Sequence, residues 1–100
     1  MDPDIPLFMI ADVVVSTAGR DAGALFYVID EDPVYLILAN GKDRTLDKPK
    51  RKKRRHVQKV LRSETRVAEK LRAGDKVLNS ELRRDLAYIS QKLQSNAQGG

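Results

Sequence analysis

Short apolar runs alternate with turn-forming residues through the first 46 positions, and the pattern then changes. Residues 10–16, Ile-Ala-Asp-Val-Val-Val-Ser, are β-branched and bounded by turn chemistry, which predicts a strand. Thr17, Ala18, Gly19, Arg20, Asp21, Ala22 and Gly23 follow. Two glycines four apart around a polar pair predict a tight loop needing positive φ or close backbone approach. Leu25 to Ile29 reads as a second strand, stopped by Asp30-Glu31-Asp32-Pro33, because proline lacks a ladder donor and Asp before it favours a turn. Val34 to Ala39 reads as a third. Asn40-Gly41 suits a type I′ turn, with Lys42 to Leu46 as the returning strand. Short strands with no helix between them imply antiparallel pairing in a small barrel or sandwich.

Beyond Leu46, the run Lys48-Pro49-Lys50-Arg51-Lys52-Lys53-Arg54-Arg55-His56 has no apolar face. It is expected to be extended and solvated unless a partner neutralises it. Val57, Val60 and Leu61 are placed to dock a last short strand or turn. The remainder reads as two helices. Ser63 is a candidate N-cap for a first helix carrying Val67 and Leu71, with Gly74 as its stop. Asn79 or Ser80 is a candidate cap for a second, in which Leu82, Leu86, Ile89 and Leu93 form an apolar stripe opposite Arg83, Arg84 and Lys92. That stripe can cover the sheet, pair with the first helix or bind another protein. Residues 95–100 are expected to be disordered.

One hundred residues support one compact domain with an appendage. The net charge of +5 is unevenly spread. Residues 1–41 hold seven acids and one base, Arg20, whereas residues 42–56 hold nine bases against Asp43 and Asp47. Such concentration points to a polyanionic partner, because counterion release drives association with phosphate backbones. Cysteine is absent, which removes disulfides, thiolate metal sites and cysteine nucleophiles. His56 is the sole histidine, so neither a zinc site nor a Ser-His-Asp arrangement can be assembled around it. No apolar run approaches the roughly 20 residues of a membrane span. The acidic start is unlike a secretory signal. The expectation is a cytoplasmic, monomeric, non-enzymatic protein without cofactor or membrane contact.

The ordered combination of Val13 to Gly23, Leu25 to Asp30, Val34 to Asn40, Gly41-Lys42-Asp43-Arg44 and a basic segment to His56-Val57 resembles a KOW motif. It is similar to small bacterial KOW proteins and to KOW-containing large-subunit ribosomal proteins of archaeal and eukaryotic type. The resemblance spans roughly the first 60 residues, with Gly23 matching the family's glycine. Asp12 stands where many relatives have glycine, and Ala24-Leu25 where a lysine is common. The resemblance implies an SH3-like barrel and ribosomal RNA as partner, sometimes with ribosomal proteins.

The expected architecture is therefore mainly β. It has an N-terminal extension over 1–7, a KOW SH3-like barrel over 8–60 with its basic strip at 48–56, and a helical extension over 63–94. The candidate RNA contacts are Arg20, Lys42, Arg44, Lys48, Lys50, Arg51, Lys52, Lys53, Arg54, Arg55 and His56. Arg20 is equally suited to pair with Asp21 inside its loop. The strip is expected to bind phosphate, which positions the RNA without reading its sequence. If about six of these residues engage phosphate, log K falls with log salt at a slope of roughly −4 to −5. Phe8, Phe26, Tyr27, Tyr35 and Tyr88 are better suited to core or surface cover than to base stacking, with Tyr35 the strongest stacking candidate. Ribosomal proteins are candidate partners for Leu82, Leu86, Ile89 and Leu93. The alternative is an SH3-like protein-interaction module using the helical tail and the acidic barrel face, and a third reading is a general DNA-binding or nucleic-acid chaperone.

Overall fold

The computed structural model describes residues 7–98. The N-terminal extension expected over 1–7 therefore lies outside the described residues except for Leu7, as do positions 99 and 100 at the other end. Five strands form one antiparallel sheet: β1 (Asp12–Ser16), β2 (Leu25–Glu31), β3 (Tyr35–Ala39), β4 (Lys50–Lys53) and β5 (Val57–Arg62). Their spatial order is β4-β3-β2-β1-β5, so β4 and β5 are the two edges and the ladder is open between them. A short 3₁₀ turn, Arg54–His56, joins these edge strands. Two helices follow, α1 (Arg66–Ala73) and α2 (Asn79–Gln98). They hold about as many residues as the strands, so the fold is a five-stranded sheet with two helices, mixed but sheet-rich. Helix α2 also continues past the end expected at residue 94, through Ser95 to Gln98. Neither helix is long and apolar enough to cross a membrane.

The centre of the sheet is apolar on both faces, because β1, β2 and β3 carry apolar side chains at successive positions that alternate between the two sides. Val14, Phe26, Val28, Leu36, Leu38 and Val57 cluster on one face with Phe8. Val13, Tyr27 and Ala39 point the other way, where Ala68 of α1 and Leu82, Leu86 and Ile89 of α2 cover them. The apolar stripe of α2 is thus spent on the sheet. Leu82 is fully buried and Leu93 packs against the same cluster, so these residues are not a free surface for a ribosomal protein. Each such leucine taken from water contributes about 1.5–3 kcal/mol before ordering costs.

A buried polar knot fixes the helices to the sheet. The Tyr27 hydroxyl bonds Asp85 of α2 and lies 2.9 Å from Ser63 Oγ, while Thr65 Oγ1 donates to Asp85 Oδ2 at 2.8 Å. Burial raises the Tyr27 phenol to about 12, and the Asp85 carboxylate reinforces the shift, so the phenol stays a neutral donor. The N-cap of α1 is Thr65, whose side chain accepts from Ala68 N; Ser63, the expected cap, belongs to the knot instead. Gly74 ends α1 in the left-handed conformation, as its position after Leu71 predicts. At the start of α2, Glu81 reaches back to accept from Leu78 N, the capping-box arrangement. Asn79 does not cap; its Oδ1 accepts from Leu46 N at 2.8 Å and ties the β3–β4 loop to the helix.

The expected return strand from Lys42 to Leu46 does not form. Asn40 Oδ1 accepts from Lys42 N and Arg44 N, and both Asn40 N and Gly41 N donate to Arg44 O. This asparagine-centred turn coils the chain into a loop before a ladder can start, and the loop docks on α2. Gly41 is buried there at φ 76°, and a Cβ at this position would lie 2.2 Å from Asn79 O. Gly41→Ala is therefore expected to lower stability by about 2–4 kcal/mol, read as a reduced urea midpoint. An unchanged midpoint would refute the close docking of this loop on α2.

Candidate nucleic-acid interface

The basic strip is not a free extended chain. Lys50 to Lys53 are strand β4, paired with β3 in the register Lys50–Leu38, Arg51–Ile37, Lys52–Leu36 and Lys53–Tyr35. The alternation sends Lys50 and Lys52 to the side of Leu36 and Leu38, and Arg51 and Lys53 to the opposite side. Four bases in a row form a strand because Asp21 neutralises the two that point to one side. Lys50 Nζ lies 2.7 Å from Asp21 Oδ2, and Lys52 Nζ lies 2.7 Å from Asp21 Oδ1. Lys52 is 8% exposed; its stem runs along the apolar face while its ammonium also donates to Ala18 O.

Asp21 sits in the β1–β2 loop, which Gly19 and Gly23 turn at φ 84° and 90°. Gly23 N donates to Ser16 O, and Ser16 Oγ donates to Asp21 Oδ1 at 2.8 Å. Burial opposes ionisation of this carboxyl, but the bonds from Lys50, Lys52 and Ser16 outweigh it and hold the group well below the usual carboxylate range. The two-glycine loop thus places an anion under the basic strand. Asp21 does not pair with Arg20, which is exposed.

Arg54 is also engaged internally: its guanidinium pairs with Glu31 and Nε donates to Asp32 O at 2.9 Å. Arg51 lies 3.8 Å above the ring of half-buried Tyr35, and its Nη2 is 3.9 Å from Asp32 Oδ2. Asp32 also accepts from Tyr35 N and Val34 N, which lower its pKa. Buried Asp12 pairs with Lys59 of β5 at 3.1 Å. His56 is half-buried, and its carbonyl accepts from Thr17 N, joining the end of the strip to the start of the β1–β2 loop.

The expected contact residues therefore divide. Lys50, Lys52 and Arg54 serve the fold. Arg20, Lys42, Arg44, Lys48, Arg51, Lys53 and Arg55 remain exposed. The loops after β1 and β3 bring Arg20, Arg44 and the flank of Lys50 around an open hollow of about 500 Å³, with Asp21 and Asp43 on its lining. Of the aromatics, Phe8, Phe26 and Tyr27 are core residues, while Tyr88 is exposed on α2. Arg83, not a candidate in the sequence reading, donates from Nη1 to Gly41 O and stands beside the same loops. Only its placement on the polar side of α2 hints at this; its proximity to Gly41 depends on the docking of the β3–β4 loop.

The chain matches no family model and no curated protein.

The depressed Asp21 value has a consequence for acid stability. Because the folded carboxyl titrates below its ordinary 3.8, its contribution is complete above that pH and is lost as pH falls through it toward the folded value. Asp21→Asn is expected to lower the urea midpoint at pH 7 and to flatten the decline of stability below about pH 4. A variant that keeps the wild-type midpoint and acid limb would show that Asp21 does not hold β4.

Proposed function

We propose that this chain is a non-enzymatic RNA-binding protein built on a KOW-type SH3-like barrel. In this reading it binds ribosomal RNA and associates with the large subunit or its assembly in the cytoplasm. The observation that carries the reading is the ordering of the basic strip as an edge strand. Exposed Arg51, Lys53 and Arg55 are presented from β4 and the 3₁₀ turn beside it, so their charges have fixed spacing rather than belonging to a mobile tail. Arg20, Lys42 and Arg44 add cations from two loops at one end of the sheet. Fixed cations lower the ordering cost of gripping a phosphate backbone. The barrel reading draws on the strand order β4-β3-β2-β1-β5, the 3₁₀ turn between the edge strands and the two-glycine β1–β2 loop, together with the motif resemblance.

The alternative, a module that binds proteins through an acidic face and an apolar tail, has less support. Asp12, Asp21 and Glu31 are occupied by Lys59, Lys50, Lys52 and Arg54, and Asp32 accepts from Val34 N and Tyr35 N. The apolar stripe of α2 is buried on the sheet. Among the described residues, the outward side chains without an ion-pair partner are predominantly cationic.

With about five exposed bases on phosphate, log K for RNA is expected to fall against log salt with a slope of roughly −4. Lys53→Gln combined with Arg55→Gln should make that slope shallower by about 1.5–2 while circular dichroism stays native. RNA affinity indifferent to salt, or unaltered in the double variant, would contradict the proposal.

A further inference from the structure

We infer that α2 is a wall of the RNA site, and that the cleft between it and the β1–β2 loop takes one unpaired nucleotide. The inference rests on the RNA-binding reading and assigns a role to the helical tail that charge and resemblance did not. The cleft is an open depression of about 400 Å³. Leu25, Leu86 and Ala87 give it an apolar lining, and Lys42 and Arg83 supply two cations. Among the described residues, no carboxylate lines it.

The neighbouring hollow makes the occupant specific. Ala22 and Ala24 line the hollow of Arg20 and Arg44, whereas Gly23 and Leu25 line the cleft. On the second loop, Asp43 and Arg44 face the hollow and Lys42 faces the cleft. The two depressions therefore flank one ridge made by the end of the β1–β2 loop, where it enters β2, and the start of the β3–β4 loop. A phosphate backbone crossing that ridge meets Arg20 and Arg44 on one side, where Asp43 also lines the hollow and Asp21 is held by Lys50 and Lys52, and meets Lys42 and Arg83 on the other. A nucleobase turned out of the strand fits the apolar lining between the cations. An apolar protein side chain would match the lining but leave the cations facing a neutral partner; a nucleotide satisfies both. Paired RNA keeps its bases stacked and offers only phosphate and sugar edges, so the cleft favours unpaired segments.

The cleft is held open by contacts already described: Arg83 Nη1 donates to Gly41 O at 3.0 Å, and Leu46 N donates to Asn79 Oδ1 at 2.8 Å. Arg83 retains other guanidinium donors for phosphate.

The test is fluorescence anisotropy of the full chain with two RNAs matched in phosphate number, a stem–loop with a randomised loop and a fully paired duplex. The wild type is expected to prefer the stem–loop by about tenfold, and Ala87→Trp, which fills the cleft, to bring the ratio close to one. If Ala87→Trp loses the native circular dichroism, Ser90→Phe fills the cleft from another lining position and carries the same expectation. Equal wild-type affinity for both RNAs, or a preference that survives in the folded cleft-filled variant, overturns the inference and leaves the RNA-binding reading standing. Binding of neither RNA at low salt overturns both.

Discussion

Lys50, Arg51, Lys52 and Lys53 would repel one another in a free chain, and the contact that lets them form an edge strand is the carboxylate of Asp21 between Lys50 and Lys52. Much else depends on it. The two-glycine loop is held by Ser16 and Gly23 so that Asp21 faces inward, and β4 completes the sheet by pairing with β3. With alternate bases directed toward Asp21, Arg51 and Lys53 are turned to the other face by strand geometry alone. The same ion pairs that stabilise the fold therefore decide which cations are presented to a ligand. Asp21 and its lysines are largely shielded from solvent, which makes this arrangement stronger than an exposed pair of similar geometry.

The second constraint is the sheet's two apolar faces. One is filled by the strands' own side chains and Phe8, and the other requires α1 and α2. This requirement makes the helical tail part of the domain rather than an appendage. It also brings Arg83 and Ala87 to the loop end of the sheet. The Tyr27–Asp85–Thr65–Ser63 knot sits within this junction, where a misplaced helix would leave several buried polar groups without partners.

Local pattern was enough to find four of the five strands approximately, the left-handed glycines at 19, 23 and 74, and the helical stripe from Leu82 to Leu93. These features are written in β-branched runs, glycine spacing and 3.6-residue periodicity. The strand hidden in Lys50 to Lys53 was illegible because its propensity is poor and its stabilising anion lies about thirty residues earlier in the chain. The loop at Asn40-Gly41 was misread for a related reason. Its asparagine bonds the backbone of Lys42 and Arg44, and its glycine answers to the proximity of α2, a contact no local window contains. The candidate site was legible as charge but not as geometry. The sequence marks every base, while the division between structural Lys50, Lys52 and Arg54 and exposed Arg20, Arg51, Lys53 and Arg55 depends on long-range partners.

Whether this fixed cationic surface binds ribosomal RNA is tested most directly by crosslinking in cells followed by sequencing of the recovered RNA. The appropriate control changes only Lys53 and Arg55 to Gln, because Lys50, Lys52 and Arg54 are needed by the fold. The expected result is a sharp ribosomal RNA peak in the wild type that is lost or strongly reduced in the control. Recovered RNA that is no more enriched in ribosomal sequence than the control would contradict it.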